Sequence, residues 1–461
     1  VKDLTTISNI YFLGIGGIGM SALARYFSQT GKNVAGYDRT PTPLTRQLSA
    51  EGILIHYDDS VDLIPQDFND PHKTLVILTP AIPRDHSEYN YLKDNGFEII
   101  KRSQMLGLIT SGHKTVAVAG THGKTTVSTM IAWIMSNSKA GCSAFLGGIS
   151  KNFNGNLVTR ENSEWMVTEA DEFDRSFLQL HPYAGVITAM DPDHLDIYGN
   201  AESMFEAFNS YAGQIDRNGI LLMKEGLPLD EKVRPAHTYT YSLSGAGDFH
   251  AINIRLENRR YTFDLKGPFA SIQDISLEHP GVVNVENAVA ASAVCTLLGV
   301  DDNTIRESLA RFSGILRRFD YQIKTEDLVY IDDYAHHPRE IEATLVSVRK
   351  LYPDKKITGI FQPHLYTRTR DFAEGFARSL SLLDRLILLD IYPARELPIE
   401  GVQSEMIFRD VTIKNKVLCK KEDVLSLLEK SQIEVLITLG AGDIDKLVVP
   451  IRQLLLKRIN A

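Results

Sequence analysis

Twice in this 461-residue chain a short β-branched run ends in a glycine-rich turn that opens directly into a helix-length segment. The first is Ile10 to Leu13 followed by Gly14-Ile15-Gly16-Gly17-Ile18-Gly19, and the second is Thr115 to Ala119 followed by Gly120-Thr121-His122-Gly123-Lys124. Glycine lets the backbone turn tightly there, and the helix that follows points its unpaired N–H groups out of the sheet edge. That constraint selects an α/β chain of parallel strands and crossover helices. Further runs continue the alternation: Val34 to Tyr37 and Leu75 to Leu78, then Trp165 to Thr168 and Ala184 to Ala189, then Leu328 to Ile331, Ile357 to Phe361, Leu386 to Leu389 and Val435 to Leu439. Short polar-alternating segments, Phe249 to Leu256 and Arg260 to Leu265, interrupt the pattern and predict a small antiparallel subsheet. At roughly 150 residues per domain the length allows two to four units, and the boundaries read as 1–107, 108–314 and 315–461.

Any phosphate bound by such a chain must be held locally. Lys plus Arg number 49 against 58 Asp plus Glu, a formal net charge of -9, so no basic field exists to hold nucleic acid or an anionic membrane surface. No apolar run approaches the roughly 20 residues that span a bilayer, and membrane insertion is not expected. Cys142, Cys295 and Cys419 lie far apart without metal-ligand spacing, which fits a reducing compartment. The opening Val1-Lys2-Asp3 lacks the basic-then-apolar order of a signal peptide, so a cytoplasmic location is expected.

The first turn, with Asp38 at the end of the next strand, suits NAD or FAD, UDP or another nucleotide diphosphate, or a merely tight turn. A helix end recognises the diphosphate without identifying its owner. The second, Gly120 to Thr126, reads as a shortened phosphate loop, with Val118 where the longer pattern has glycine. Its backbone would cradle phosphates, with Lys124 on the β- and γ-phosphates and the Thr125 hydroxyl on magnesium. Glu169-Ala170-Asp171-Glu172-Phe173-Asp174 follows a buried strand and is either a solvated loop or a magnesium site. His194, within Asp191-Pro192-Asp193-His194-Leu195-Asp196, is either a metal ligand or a helix-start residue. In the last unit, Asp332 to Pro338 and Gln362 to Arg370 place paired His and Arg and an Asp at strand ends, suited to a carboxylate and a ribose or to a surface ion-pair cluster.

Together, Gly14 to Ser21, the loop at 120 to 126, Glu169 to Ser176, Asp191 to Asp196, Pro280-Gly281 to Ala288, Phe312 to Phe319 and the two motifs of the last unit resemble the Mur ligases of bacterial cell-wall synthesis. The resemblance implies three consecutive domains: a Rossmann-like UDP-binding domain, a central P-loop ATPase-like domain and a Rossmann-like C-terminal domain. It implies ATP-dependent ligation of L-alanine to the lactyl carboxylate of UDP-N-acetylmuramate through an acyl phosphate, with ATP and Mg2+ as cofactors, by a monomer or weak homodimer. By the same resemblance the sugar nucleotide lies on Gly16, Gly17, Ile18, Gly19, Met20 and Ser21, with Asp38 and Thr79 beside it. ATP would lie on Gly120, Thr121, His122, Gly123, Lys124, Thr125 and Thr126, with Asn284 and Asn287 near the adenine, Arg318 on the phosphates and Asp333 on the ribose. Thr125 and Glu169 would hold one magnesium and His194 a second, while Tyr334, His336, Arg368 and Arg370 surround the amino acid, with His336 as the base. Val283 stands where the family often has His, and Thr79-Pro80 where many members carry two serines. Sister ligases place a carbamylated lysine at the position that falls on Asn209 here, and the first lysine after His194 is Lys224.

Overall fold

The structure is a computed structural model that describes residues 4–191, 198–394 and 396–459 and contains three sheets. The first is wholly parallel, in the order β3-β2-β1-β4-β5. Its strands are β1 (Asn9–Leu13), β2 (Asn33–Tyr37), β3 (Leu54–His56), β4 (Thr74–Leu78) and β5 (Glu98–Lys101), connected by helices that include α1 (Ile18–Gln29), α2 (Pro43–Ala50) and α3 (Ser87–Asp94). The strand order reverses between β1 and β4, so a crevice opens past their carboxyl ends, where Leu13 pairs in register with Leu78.

The chain then passes through α4 (Arg102–Thr110) into a ten-stranded sheet ordered β15-β14-β13-β12-β11-β10-β6-β9-β7-β8. Its middle is parallel: β6 (Lys114–Ala119), β7 (Ser143–Ser150), β9 (Trp165–Glu169), β10 (Ala184–Ile187), β11 (Ile220–Lys224) and β12 (His237–Ser242), with β8 (Gly155–Val158) antiparallel to β7. The core of β6 and β10 is fully buried, as an apolar run covered by helices on both faces must be. Helices α5 (Lys124–Ser136), α6 (Ala201–Gly213), α7 (Val282–Leu297) and α8 (Asp302–Ala310) accompany this sheet. The segment expected as an antiparallel subsheet forms β13 (Phe249–Glu257), β14 (Arg260–Lys266) and β15 (Ser271–Leu277). Pairing of Tyr241 with Phe249 and of Ser242 with His250 makes these strands an extension of the main sheet.

The third sheet has the order β16-β17-β21-β18-β19-β20, with β16 (Asp320–Lys324) antiparallel to β17 (Val329–Asp333). The remaining strands, β18 (Ile357–Phe361), β19 (Arg385–Leu388), β20 (Lys416–Leu418) and β21 (Val435–Leu439), run parallel. The main helices here are α9 (Pro338–Leu351) and α10 (Tyr366–Leu380), and the amphipathic stretch at the end forms a helix over Asp445–Ile459. Leu447, Val448, Ile451 and Leu455 dock that helix in the core of its own sheet. The chain divides into two compact units. One comprises Val1–Ile254, Phe263–Ser276 and Glu286–Phe312 and carries the first sheet and most of the second; the other comprises Arg255–Thr262, Leu277–Val285 and Ser313–Ala461 and carries the third. No helix among the described residues is long and apolar enough to cross a membrane.

In the first unit one apolar cluster runs without a break from Phe12, Leu23 and Phe27 of the first sheet and its helix to Met166 and Ile187 of the second. On the other face of the first sheet a polar cluster is sunk among Tyr37, Phe68, Val76 and Leu92. Glu88 is fully buried there; the Tyr11 hydroxyl donates to its Oε2 at 2.6 Å, and His56 Nε2 stands 3.5 Å from its Oε1. Burial pushes the Glu88 carboxyl up to about 7, against the pull of the Tyr11 hydrogen bond. A carboxyl raised above its unfolded value stabilises the fold in its protonated form, and that contribution is lost as pH rises through the folded pKa. Glu88→Gln keeps the shape and stays neutral. The variant should therefore become more stable relative to the parent as pH rises from 4.5 through about 7, the difference levelling above that pH at about 3 kcal/mol in denaturant melts. A pH-independent difference would contradict this account.

Candidate active site

The register of β6 decides what meets at the edge of the central sheet. Val118 pairs with Glu169 of β9 and Ala119 with Ile187 of β10, so the loop after β6, the acid ending β9 and Thr188 share one edge. Gly120 adopts φ +129° and lies against Thr188, where a Cβ would come within 2.3 Å of the hydroxyl; only glycine fits. Thr188 donates to Ala119 O at 3.1 Å and to His122 O, and Thr121 Oγ1 accepts from Asp191 N at 3.1 Å. His122 Nε2 lies 3.5 Å from Asp191 Oδ2. Gly123, at φ +81°, caps α5 without a side chain, and Asn287 Oδ1 stands 3.0 Å from where its Cβ would be.

Lys124 and Thr125 begin α5, and each meets an acid. Thr125 Oγ1 donates to Glu169 Oε2 at 2.9 Å. Glu169 in turn lies against Gly147 of β7, where a Cβ would fall 1.6 Å from the carboxylate. Lys124 Nζ donates to Gly120 O at 2.7 Å and reaches Glu172 Oε1 at 2.9 Å and Oε2 at 2.7 Å. Burial pulls the ammonium pKa down, but Glu172, Glu169 and Asp171 outweigh it and hold it above its ordinary value. Thr126 is buried just beyond. His194, with residues 192–197, lies outside the described residues.

At the first turn, α1 begins at Ile18 behind Gly17, with no side chain capping its first N–H groups. An uncapped helix start at a strand end is an anion site. Asp38 Oδ2 accepts from Gly16 N at 2.7 Å and closes the turn, while the Thr79 methyl packs on Gly14. Of the residues expected around the sugar nucleotide, Met20 faces the core. Ser21 is fully buried; its hydroxyl donates to Ile18 O and accepts from Asn156 Nδ2 at 2.9 Å. Their contribution at this turn is therefore confined to the backbone.

In the second unit, Tyr334, His336 and His364 form an aromatic cluster past β17 and β18. Arg317 and Arg318 stack on the Tyr334 ring at 5.1 and 5.0 Å. His336 Nδ1 lies 3.0 Å from Tyr334 O and 3.3 Å from Glu340 Oε2. Burial is the main force that drives the His336 pKa down to about 3, with Arg368, Arg318 and His364 adding to it against Glu340. The ring is neutral at physiological pH; since a carbonyl can only accept, Nδ1 carries the proton and Nε2 the lone pair. Arg368 is buried and belongs to this cluster, whereas Arg370 is half exposed and pairs with the adjacent Asp371 at 2.7 Å. Asp333 accepts from Phe319 N, Ala335 N and Thr344 Oγ1, and burial raises its pKa to about 6. Asn284 Nδ2 donates to Pro280 O at 2.6 Å, and Val283 beside it is exposed.

Three contributors were not singled out by the sequence reading. Arg102, opening α4, places its guanidinium 2.8 Å from where a Gly19 Cβ would be, beside the first turn, and reaches Asp171 Oδ2 at 3.5 Å. Asn156 of β8, fully buried, donates to Ile18 O at 2.6 Å and accepts from Arg25 at 2.6 Å. Glu172 stood undistinguished among four acids until the structure set it on Lys124. A basic residue straight after a strand, as Arg102 follows β5, was a signal within reach; a lone Asn in a four-residue strand was not.

The chain matches three family descriptions in succession: the Mur ligase family catalytic domain over residues 9–114, the Mur ligase middle domain over 118–295 and the Mur ligase glutamate ligase domain over 317–442. It is 53% identical over 458 residues to the UDP-N-acetylmuramate–L-alanine ligase of Phocaeicola vulgatus, covering 99% of this chain and all of that one. Against the enzyme of the same name from Parabacteroides distasonis the identity is 51%, covering 99% of each. The crystal structure of UDP-N-acetylmuramate-alanine ligase from Thermotoga maritima superposes with a TM-score of 0.81 at 28% identity, over 98% of this chain and 99% of that one. Three domain matches in order and this likeness along nearly the whole chain leave one conclusion: the protein belongs to the Mur ligase family.

Proposed function

We propose that this chain joins L-alanine to the lactyl carboxylate of UDP-N-acetylmuramate with hydrolysis of ATP to ADP and phosphate, in the making of a peptidoglycan precursor. The observation that carries this reading is the second phosphate loop, in which Lys124 and the Thr125–Glu169 pair meet at one strand edge. A nicotinamide dehydrogenase has use for the first glycine turn and none for this one. We therefore assign the first turn and Asp38 to the uridine diphosphate, with Arg102 as a further cation beside it, and the Gly120–Thr126 loop with Asn287 to ATP. The domain limits that go with this reading are 1–107, 108–314 and 315–461. ATP and a nucleotide sugar place the reaction in the cytoplasm.

The lactyl carboxylate attacks the γ-phosphorus, ADP leaves, and the sugar nucleotide carries an acyl phosphate. The amine of alanine, having lost a proton, attacks the acyl carbon, and inorganic phosphate departs from the tetrahedral intermediate. Both steps load negative charge on phosphoryl oxygens, so a fixed ammonium such as Lys124 acts by stabilising charge and holding position. Magnesium fits the Thr125–Glu169 pair, since both offer the hard oxygen donors it prefers, and it would neutralise phosphate charge when bound. Tyr334, His336 and Arg368 suit an amino acid: the guanidinium for its carboxylate, the His336 lone pair for its amine. A ring whose pKa lies near 3 orients that amine and passes its proton on without storing it.

Phosphate release should require ATP, UDP-N-acetylmuramate and L-alanine together, and excess NAD should leave calorimetric binding of the sugar nucleotide unchanged. Release with ATP alone at the full rate, or displacement by NAD, would overturn the assignment. Lys124→Ala and Glu169→Ala, compared as folded proteins, should each lower turnover on the order of 10²-fold or more, because each removes a group that stabilises charge on the transferring phosphoryl group. Near-normal turnover in either folded variant would refute the roles given. Activity should also be indifferent to dissolved carbon dioxide. Asn209 accepts from Asp230 N and Lys224 is engaged with Glu286 at 2.9 Å, so neither offers a carbamate. Bicarbonate rescue of a degassed enzyme would show otherwise.

A further inference from the structure

The Lys124 ammonium is engaged inside the protein: it donates to Gly120 O at 2.7 Å and to Glu172 Oε1 at 2.9 Å, with Glu172 Oε2 2.7 Å away in the same ion pair. Glu172 is 1% exposed, so its carboxylate is shielded from water. Its backbone is fixed as firmly. Glu172 O accepts from the Tyr198 hydroxyl at 2.6 Å and from Arg175 N at 3.0 Å. Just beyond, Asp174 and Arg175 are held at φ +53° and +54°, a conformation that costs free energy in residues other than glycine. Phe177, stacked on Tyr211 at 5.1 Å and edge-on to Phe208 at 5.2 Å, anchors the far side of this turn. The chain thus tolerates local strain to keep one buried carboxylate against the lysine of the phosphate loop.

We propose that Glu172 is an exchangeable counter-ion for Lys124, occupying the lysine when the loop is empty and yielding at least one of its protons to nucleotide phosphate. The inference rests on the reading of Lys124 as the phosphate-binding lysine. A phosphate that approaches the ammonium competes with Glu172 for it, and a carboxylate oxygen displaced in that exchange stays buried near a like charge. Part of the attraction between lysine and nucleotide is spent on that exchange, so nucleotide binds less tightly than the loop alone would allow. The same exchange run backwards helps ADP leave, since Glu172 recaptures the lysine as the phosphate departs. Glu172 is accordingly a positioning residue that acts through Lys124.

Glu172→Gln keeps a side-chain oxygen for Lys124 and removes the charge. Calorimetry of the variant should show ADP binding about tenfold tighter, and a displacement chase should show ADP leaving more slowly in proportion. The KM for ATP and kcat should fall together, leaving kcat/KM nearly unchanged, a pattern that damage to the fold does not produce. Unchanged or weaker ADP binding by a variant that melts like the parent would overturn the proposal. Should Glu172→Gln not fold, the unaltered protein decides: in its crystal structure with ADP, Lys124 must have left at least one Glu172 oxygen for a phosphate. A lysine still held by both would be decisive against exchange. Lys124→Met separates the two readings. Loss of its ADP binding upholds the phosphate-binding lysine whatever Glu172 does, and retention of full affinity removes the ground for both.

Discussion

The meeting of the Gly120–Thr126 loop with its acids depends on the lateral register of three parallel strands, β10, β6 and β9. Because side chains alternate faces along a strand, a slip of one residue would turn Glu169 to the opposite side of the sheet and strand Thr125 without its partner. The register is held by apolar residues buried on both faces, so the same packing that stabilises the sheet aligns the phosphate loop with its acids. Close backbone approach completes the alignment. Gly120 sits on Thr188 and Gly147 on Glu169, and a methyl group at either place would collide with the group that it positions.

How much of this could be read in advance follows from what each feature is made of. Buried parallel strands announce themselves as β-branched runs, and β1, β2, β4, β6, β9, β10, β17, β18, β19 and β21 coincide with the runs seen in the sequence. Strand β7 does not, because Gly147 and Gly148 break its apolar pattern, and Gly147 leaves room for the Glu169 carboxylate lying against it. Strands such as β3, β8 and β20 have three or four residues, too few for a period to show. The glycine turns were legible because their backbone demands are met by one residue type. Asn156 and Glu172 were not, since their partners lie far away in sequence and only tertiary structure brings them together.

The two units carry charge in different ways. Around the Gly120–Thr126 loop and the acids after β9, charge is abundant and paired: Lys124 with Glu172 and Arg102 with Asp171. Around His336 burial is the leading influence, and it leaves a neutral ring among arginines. The first environment suits the transfer of a highly charged group, where fixed charges substitute for water. The second suits an amine that must be uncharged to react.

The bonds from Asn156 to Ile18 and Arg25 carry a different lesson, about where a domain ends. Sequence families divide this chain near residue 114, yet β8, on the far side of that line, supplies buried hydrogen bonds to the helix that begins the first glycine turn. A fragment cut at the family boundary would leave Arg25 and the first turn of α1 short of the partner they are built around, and would expose apolar surface that the central sheet now covers. The evolutionary module and the mechanical module are thus of different size. Recombination between family members that exchanges the first domain alone would have to carry the β7–β8 hairpin with it, and homologous pairs that have drifted apart at this seam should fail as chimaeras even where each half is well made.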